Sequence, residues 1–249
     1  MDFAKELGVQ SFCFRGFEKN EVVAEKVKEC GMTKIEICQK HVNFKDESQF
    51  EPALAAYRKA GVGIVSIGVQ GFGNDEANER KYFKFAKAAG ARFMSANFNV
   101  NSVPQSYRTA EKLAEEFDFR LGIHNHGGKH WLGSVEMLKN VFANTNKRIG
   151  LCLDTAWALD AREDPIKMAE MFADRLYGVH VKDFVFDRAR KPEDVVVGTG
   201  NLDLKALLAT LKKNGFNGYF VLEYEGDVNN PLPAIKKCVE AVRSAAVGL

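Results

Sequence analysis

Four short apolar runs in the second half of the chain each end on a side chain able to hold a metal ion. They are Arg120–His124 (RLGIH), Ile149–Asp154 (IGLCLD), Leu176–His180 (LYGVH) and Tyr219–Glu223 (YFVLE). Two imidazoles and two carboxylates make a mixed nitrogen and oxygen donor set, which suits Mn, Fe, Co, Ni or Zn better than Ca. A carboxylate closing an otherwise apolar strand, as Asp154 does, would be buried, and burying it is costly unless it is paired or metal-bound. The expectation is one divalent ion (Mn, Co, Fe, Zn or Mg) held by His124, Asp154, His180 and Glu223.

Other reactive side chains flank these four. His126 lies two residues beyond His124, and Lys182 and Asp183 follow His180 directly. Glu36 is embedded in the apolar run KIEIC, where an inward acid would orient a ligand or meet substrate. Arg15 and His41 fall in the loops after the first two apolar runs, positions from which they could bind a hydroxylated or anionic substrate. Glu225 would share the side of Glu223 by strand parity if that strand continued. Trp157 and Phe184 could stack on a sugar face, with plain packing the alternative. The segment VGTGN, Val197–Asn201, either approaches a ligand closely or simply turns the chain.

The elements that must position these groups alternate along the chain. Strand-like runs are expected at Gly8–Phe12, Lys34–Cys38, Gly63–Gly68, Phe93–Ala96, Leu121–His124, Gly150–Asp154, Tyr177–Val181 and Tyr219–Glu223. Helix-like segments with apolar residues three and four apart lie between them, for example Leu204, Leu207, Leu208 and Leu211. Asp46 with Ser48, Ser134, Asp164 before Pro165 and Asp203 are start signals, while Gly31, Gly61, Gly90 and Gly215 are stops. Strand, helix, stop, repeated eight times, predicts an α/β fold, the (β/α)8 TIM barrel, as one domain over 1–249. A doubly wound sheet would usually carry a Gly-rich phosphate loop after its first strand, and QSFCFRGF is not one. In a barrel the strand ends converge on one face, and neighbouring ends lie about 5 Å apart, close enough to share an ion.

The formal charge of +2 and interleaved Lys and Glu do not describe a nucleic-acid or membrane-surface protein. Five cysteines, an odd number without a CxxC, are read as buried reduced thiols. With no leader-like N-terminus and no apolar run near membrane length, a cytoplasmic chain is expected. Its expected partner is a small-molecule sugar, with self-association left open.

Taken in order, KIEIC, GIHNHGG, LCLDTAW, GVHVKD, GTGNLD and VLEYEGD make the chain resemble the xylose isomerase-like TIM barrels, the sugar phosphate isomerase/epimerase superfamily. The resemblance covers nearly the whole length. It implies a metal held at Asp154, His180 and Glu223 plus a fifth-strand position, here His124. Many members read ENH at that position, with Glu as both ligand and acid/base, whereas this chain reads HNH. It therefore lacks one carboxylate of a symmetric two-carboxylate epimerase. The implied activity is enolisation of a ketose or keto-sugar leading to isomerisation or epimerisation. Glu223, Glu36, His126 and Lys182 would be the catalytic groups, and Arg15, His41, Trp157, Asp183 and Glu225 would bind substrate. The alternatives are a lyase or dehydratase working through the same enolate, and a sugar-binding barrel without activity. An endonuclease IV-type repair enzyme would need a three-metal cluster and a basic stripe, and only five histidines are present.

Overall fold

The computed structural model describes every residue from Met1 to Leu249. Eight parallel strands close into a barrel: β1 (Gly8–Gln10), β2 (Lys34–Ile37), β3 (Gly63–Phe72), β4 (Phe93–Phe98), β5 (Arg120–His124), β6 (Ile149–Asp154), β7 (Leu176–Val181) and β8 (Tyr219–Leu222). Each pairs with its neighbours in sequence, and β8 closes on β1 with Gly8 opposite Val221. The intervening helices are Asn20–Glu29, Phe50–Ala60, Glu76–Ala88, Gln105–Phe117, Val135–Ala143, Pro165–Met171, Leu204–Lys213 and Leu232–Ala245. The fold is the (β/α)8 TIM barrel expected from the rhythm of the sequence.

Local chemistry explains the helix ends. The side chains of Ser134, Asp164 and Asp203 each accept a backbone N–H of the first turn, satisfying donors that the helix leaves unpaired. Gly61 ends Phe50–Ala60 in the left-handed conformation, φ 69°, where a side chain would be strained. One cluster of 66 buried residues runs through the molecule, and a small separate one gathers Cys152, Tyr219 and Val221. All five cysteines are buried and unpaired, and no helix is long and apolar enough to cross a membrane.

Three departures from the expected elements bear on function. β1 stops at Gln10, because Ser11–Phe14 winds into a 3-10 turn. β8 stops at Leu222, so Glu223 and Glu225 stand in the following loop and strand parity does not govern them. Finally, a helix at Thr155–Asp160 and an antiparallel hairpin, Phe184–Phe186 with Pro192–Asp194, fill loops at the C-terminal face. Elements of three to six residues are too short for periodicity to reveal.

Candidate metal and active site

At the C-terminal face, β5, β6, β7 and the residue after β8 bring His124, Asp154, His180 and Glu223 together. One donor atom from each lies within 4.8 Å of all the others, and all four residues are buried. His180 Nδ1 is 2.9 Å from Glu223 Oε2 and 3.1 Å from His124 Nε2. His124 Nε2 is 3.5 Å from Asp154 Oδ2 and 3.6 Å from Glu223 Oε2. Bonds of about 2.1 Å to one ion set neighbouring donors about 3.0–3.4 Å apart. The spacing therefore fits a shared cation.

A second observation supports the fit. Asp154 Oδ2 is buried and has no hydrogen-bond partner, although it faces this centre. An orphaned carboxylate oxygen is costly unless something positive answers it. Without an ion the imidazoles supply that charge. Burial pulls His124 down, yet the nearby carboxylates of Asp154 and Glu223 carry it above the usual histidine value. Burial likewise opposes His180, which Cys152, Glu36 and Glu223 nevertheless hold well above it. Glu223 moves the other way: burial would raise it, but Lys182 and His180 keep it well below the usual carboxylate range.

The surrounding residues fix where these atoms point. Asp154 caps the helix Thr155–Asp160, its Oδ1 accepting Trp157 N–H at 2.8 Å, which turns Oδ2 to the centre. Asn125 donates to Asp154 O at 3.0 Å and accepts Asp154 N–H at 2.8 Å, tying β5 to β6. The Thr155 hydroxyl donates to Lys182 O at 2.6 Å and accepts Lys182 N–H at 2.9 Å, tying β6 to β7. Behind His180, Glu36 Oε2 lies 3.0 Å from Nε2. The other Glu36 oxygen accepts the Ser95 hydroxyl. Gly68 makes room for that pair, because a Cβ there would collide with Ser95 Oγ and lie 2.6 Å from Glu36 Oε1.

Toward solvent, Lys182 is fully buried and pairs with Glu225 and, at 3.5 Å, with Asp194. Its ammonium lies over Trp157 and Phe184, 5.2 and 5.3 Å from the ring centroids. Burial alone would lower Lys182, but Glu223, Asp154, Asp194 and Glu225 hold it above the ordinary lysine value. His126 lies between His124 and His130, its ring tilted to both, with centroids 4.7 and 4.9 Å away. Burial and the charge of those neighbours hold it down to about 3.

Comparison with known proteins places the barrel in a family. Residues 24–245 match the xylose isomerase-like TIM barrel family. The chain belongs to that family. It is 26% identical over 213 residues to the 3-oxo-isoapionate decarboxylase of Pectobacterium atrosepticum, covering 80% of this chain and 75% of that one. It is 27% identical over 163 residues to the inosose dehydratase of Klebsiella pneumoniae, covering 58% and 54% of the two; here the match spans only about half the relative. Its fold matches the 3-keto-D-glucoside 4-epimerase of E. coli with a TM-score of 0.73 at 17% identity, over 96% of this chain and 99% of that one.

Within this xylose isomerase-like barrel, several residues expected to meet substrate are occupied otherwise. Glu36 lies behind His180, with its Oε2 on the ring Nε2 and its Oε1 on the Ser95 hydroxyl. Both nitrogens of His41 are engaged, with Ser11 Oγ at 3.0 Å and Phe17 O at 3.0 Å, so the ring joins the first two βα loops. Asp183 turns away from the cavity and accepts the backbone N–H groups of Gly198, Gly200, Asn201 and Leu202 at 2.8–2.9 Å. That anchors GTGNL as a turn. Arg15 spends its guanidinium on the carbonyls of Phe12 and Glu225, joining the loops after β1 and β8. Glu225 meets Lys182 through the path of its loop. Trp157, partly exposed, is the expected aromatic that does stand at the mouth, beside His126 and Phe184. The sequence reading missed Asn125 and Asp194. Asn125, flanked by two histidines in HNH, was visible as a polar residue at a strand end; nothing local distinguishes Asp194 in PEDVV.

Proposed function

We propose that this chain is a divalent-metal-dependent enzyme that enolises a ketose or keto-sugar, phosphorylated or not, and so isomerises or epimerises it. One observation carries the reading: four buried donor atoms from four strand ends converge, and Asp154 Oδ2 has no other partner. The ion would be held through His124 Nε2, Asp154 Oδ2, His180 Nδ1 and Glu223 Oε2. When bound, a divalent ion supplies Lewis acidity toward a carbonyl and its neighbouring hydroxyl.

The chain's own groups do the rest. Glu36 accepts the Nε2–H of His180, which selects the tautomer whose Nδ1 lone pair faces the centre. Both contacts of Glu223 to the imidazoles use Oε2, so Oε1 is the oxygen that takes a proton from the carbon beside the carbonyl and, for isomerisation, delivers it to the former carbonyl carbon. His126, held neutral, orients a substrate hydroxyl. Lys182 contributes fixed positive charge at the mouth, where negative charge develops on oxygen. Trp157, backed edge-on by the buried Phe184, gives an apolar face for a sugar. Five buried free thiols accord with a reducing, cytoplasmic setting.

A second reading, elimination from the same enolate, is favoured by His124. It stands where a second carboxylate would serve proton transfer on the opposite face of the sugar. A dehydratase and a decarboxylase among the relatives point the same way. The test is metal analysis of the dialysed protein together with a panel of ketoses and 3-keto-sugars followed by product mass. Isomerisation conserves mass, dehydration loses water and decarboxylation loses carbon dioxide. Asp154→Ala and Glu223→Gln are expected to abolish turnover and lower retained metal; full turnover in either variant overturns the proposal.

A further inference from the structure

The opposite, N-terminal mouth of the barrel carries a row of arginines that the chemistry above does not use. Arg92 stands just before β4, Arg120 opens β5 and Arg148 stands just before β6. The ladder joins them: Arg120 N–H donates to Arg92 O at 3.1 Å, and Leu121 N–H to Arg148 O at 2.8 Å. Adjacent strands are about 4.8 Å apart, and the register sets Arg120 opposite Phe93, one residue beyond Arg92, so the three leave neighbouring strands close together. With Lys147, Asn146, Asn217 and the acids Glu115 and Asp118 they line a cleft of about 780 Å³.

The charges in this cleft are unevenly matched. Arg148 pairs with Asp118 at 2.6 Å, and Lys147 reaches Asp174 at 3.3 Å. Nearby Arg175 spends its guanidinium on the carbonyls of Thr145, Asn146 and Ile149. Arg92 and Arg120 make no ion pair, and the guanidinium of Arg120 merely lies over the Tyr177 ring at 5.2 Å. Like charges on adjacent strands repel. The acids Glu115 and Asp118 also line the cleft, but neither is in ion-pair contact with Arg92 or Arg120, so these two guanidinium groups keep their donors for an anion with oxygens on both sides. An adjoining cleft of about 220 Å³, which shares Arg92 and Phe93, is lined largely by apolar groups including Val65 and Phe220.

We propose that this mouth is a second binding site, for the linked phosphates of a small polyphosphate, with Arg92 and Arg120 donating to its oxygens. Two adjacent unpaired guanidinium groups match two joined phosphates better than one. The group could arrive as free pyrophosphate or as part of a nucleoside diphosphate, whose base the apolar cleft would accept. Calorimetric titration of the metal-loaded chain with pyrophosphate and with ADP, the ion kept in excess, tests this. Arg92→Gln and Arg120→Gln should each weaken binding on the order of tenfold, and raised salt should weaken it further. Asp118→Asn frees Arg148 and should tighten binding, which a merely misfolded variant would not do. ADP binding above pyrophosphate identifies a nucleotide ligand; equal binding identifies the phosphates alone. Binding equal in wild type and Arg92→Gln/Arg120→Gln, binding lost only in Asp154→Ala, or no binding of either probe would overturn the proposal.

Discussion

The two oxygens of Asp154 have separate tasks: Oδ1 caps a helix while Oδ2 faces the imidazoles. Asp154→Asn should therefore keep the cap and the fold but lose the metal, a separation that circular dichroism and metal analysis of one sample will measure. Glu36 has a different relation to the centre. It touches no other residue of the cluster, but it holds the far nitrogen of His180. Removing such a partner typically costs about 10–100-fold in metal affinity. Glu36→Gln, which still offers an oxygen acceptor, should sit at the mild end and Glu36→Ala at the severe end, read by competition with a chromogenic chelator. The chemistry of both residues was visible in the sequence. Which oxygen does what, and that Glu36 lies behind a ring rather than before a substrate, depends on χ angles and on neighbours remote in sequence.

Between β7 and its helix, an insertion becomes structure because Asp183 gathers four backbone N–H groups. A buried carboxylate accepting so many bonds is worth about 3 kcal/mol. Asp183→Ala should lower the melting temperature by about 6–12 °C, with KM rising more than kcat falls as the mouth loosens. On the hairpin, burial raises Asp194 to about 7, against the pull of Lys182. The unfolded carboxyl ionises near about 3.9, so between those values the folded protein binds the extra proton and stability falls as pH rises. Asp194→Asn should remove that slope, as melting curves between about pH 4 and 8 will reveal. Helices and barrel strands were legible because each repeats an apolar period over several turns or residues. The hairpin was not, because side chains from other loops hold it.

A closed barrel brings residues nearly a hundred positions apart to one point, so a bound ion crosslinks β5 through β8. Binding to the folded state alone stabilises by about 4 kcal/mol when the ion is at a thousand times its dissociation constant. Chelation should therefore lower the melting temperature by about 8–16 °C, and readdition should restore it. A chain with Asp154→Asn should show no such shift, tying the effect to this centre.

The sequence by itself determined the barrel and the four groups at its C-terminal rim. Alternation of strand and helix dictates the topology, and in that topology corresponding strand ends share a face. Tertiary structure alone decided which side chains are free. His41, Asp183 and Arg15 have the right chemistry and lie in the right loops, yet each is taken up by groups of those loops: backbone groups for Asp183 and Arg15, the Ser11 hydroxyl and a carbonyl for His41. Arg92 and Arg120 are the converse, ordinary in sequence and distinguished only by lining one cleft with neither in an ion pair. The physical reason is common to both cases. A polar side chain's availability depends on what else comes within about 3 Å of it, and that distance is created by folding.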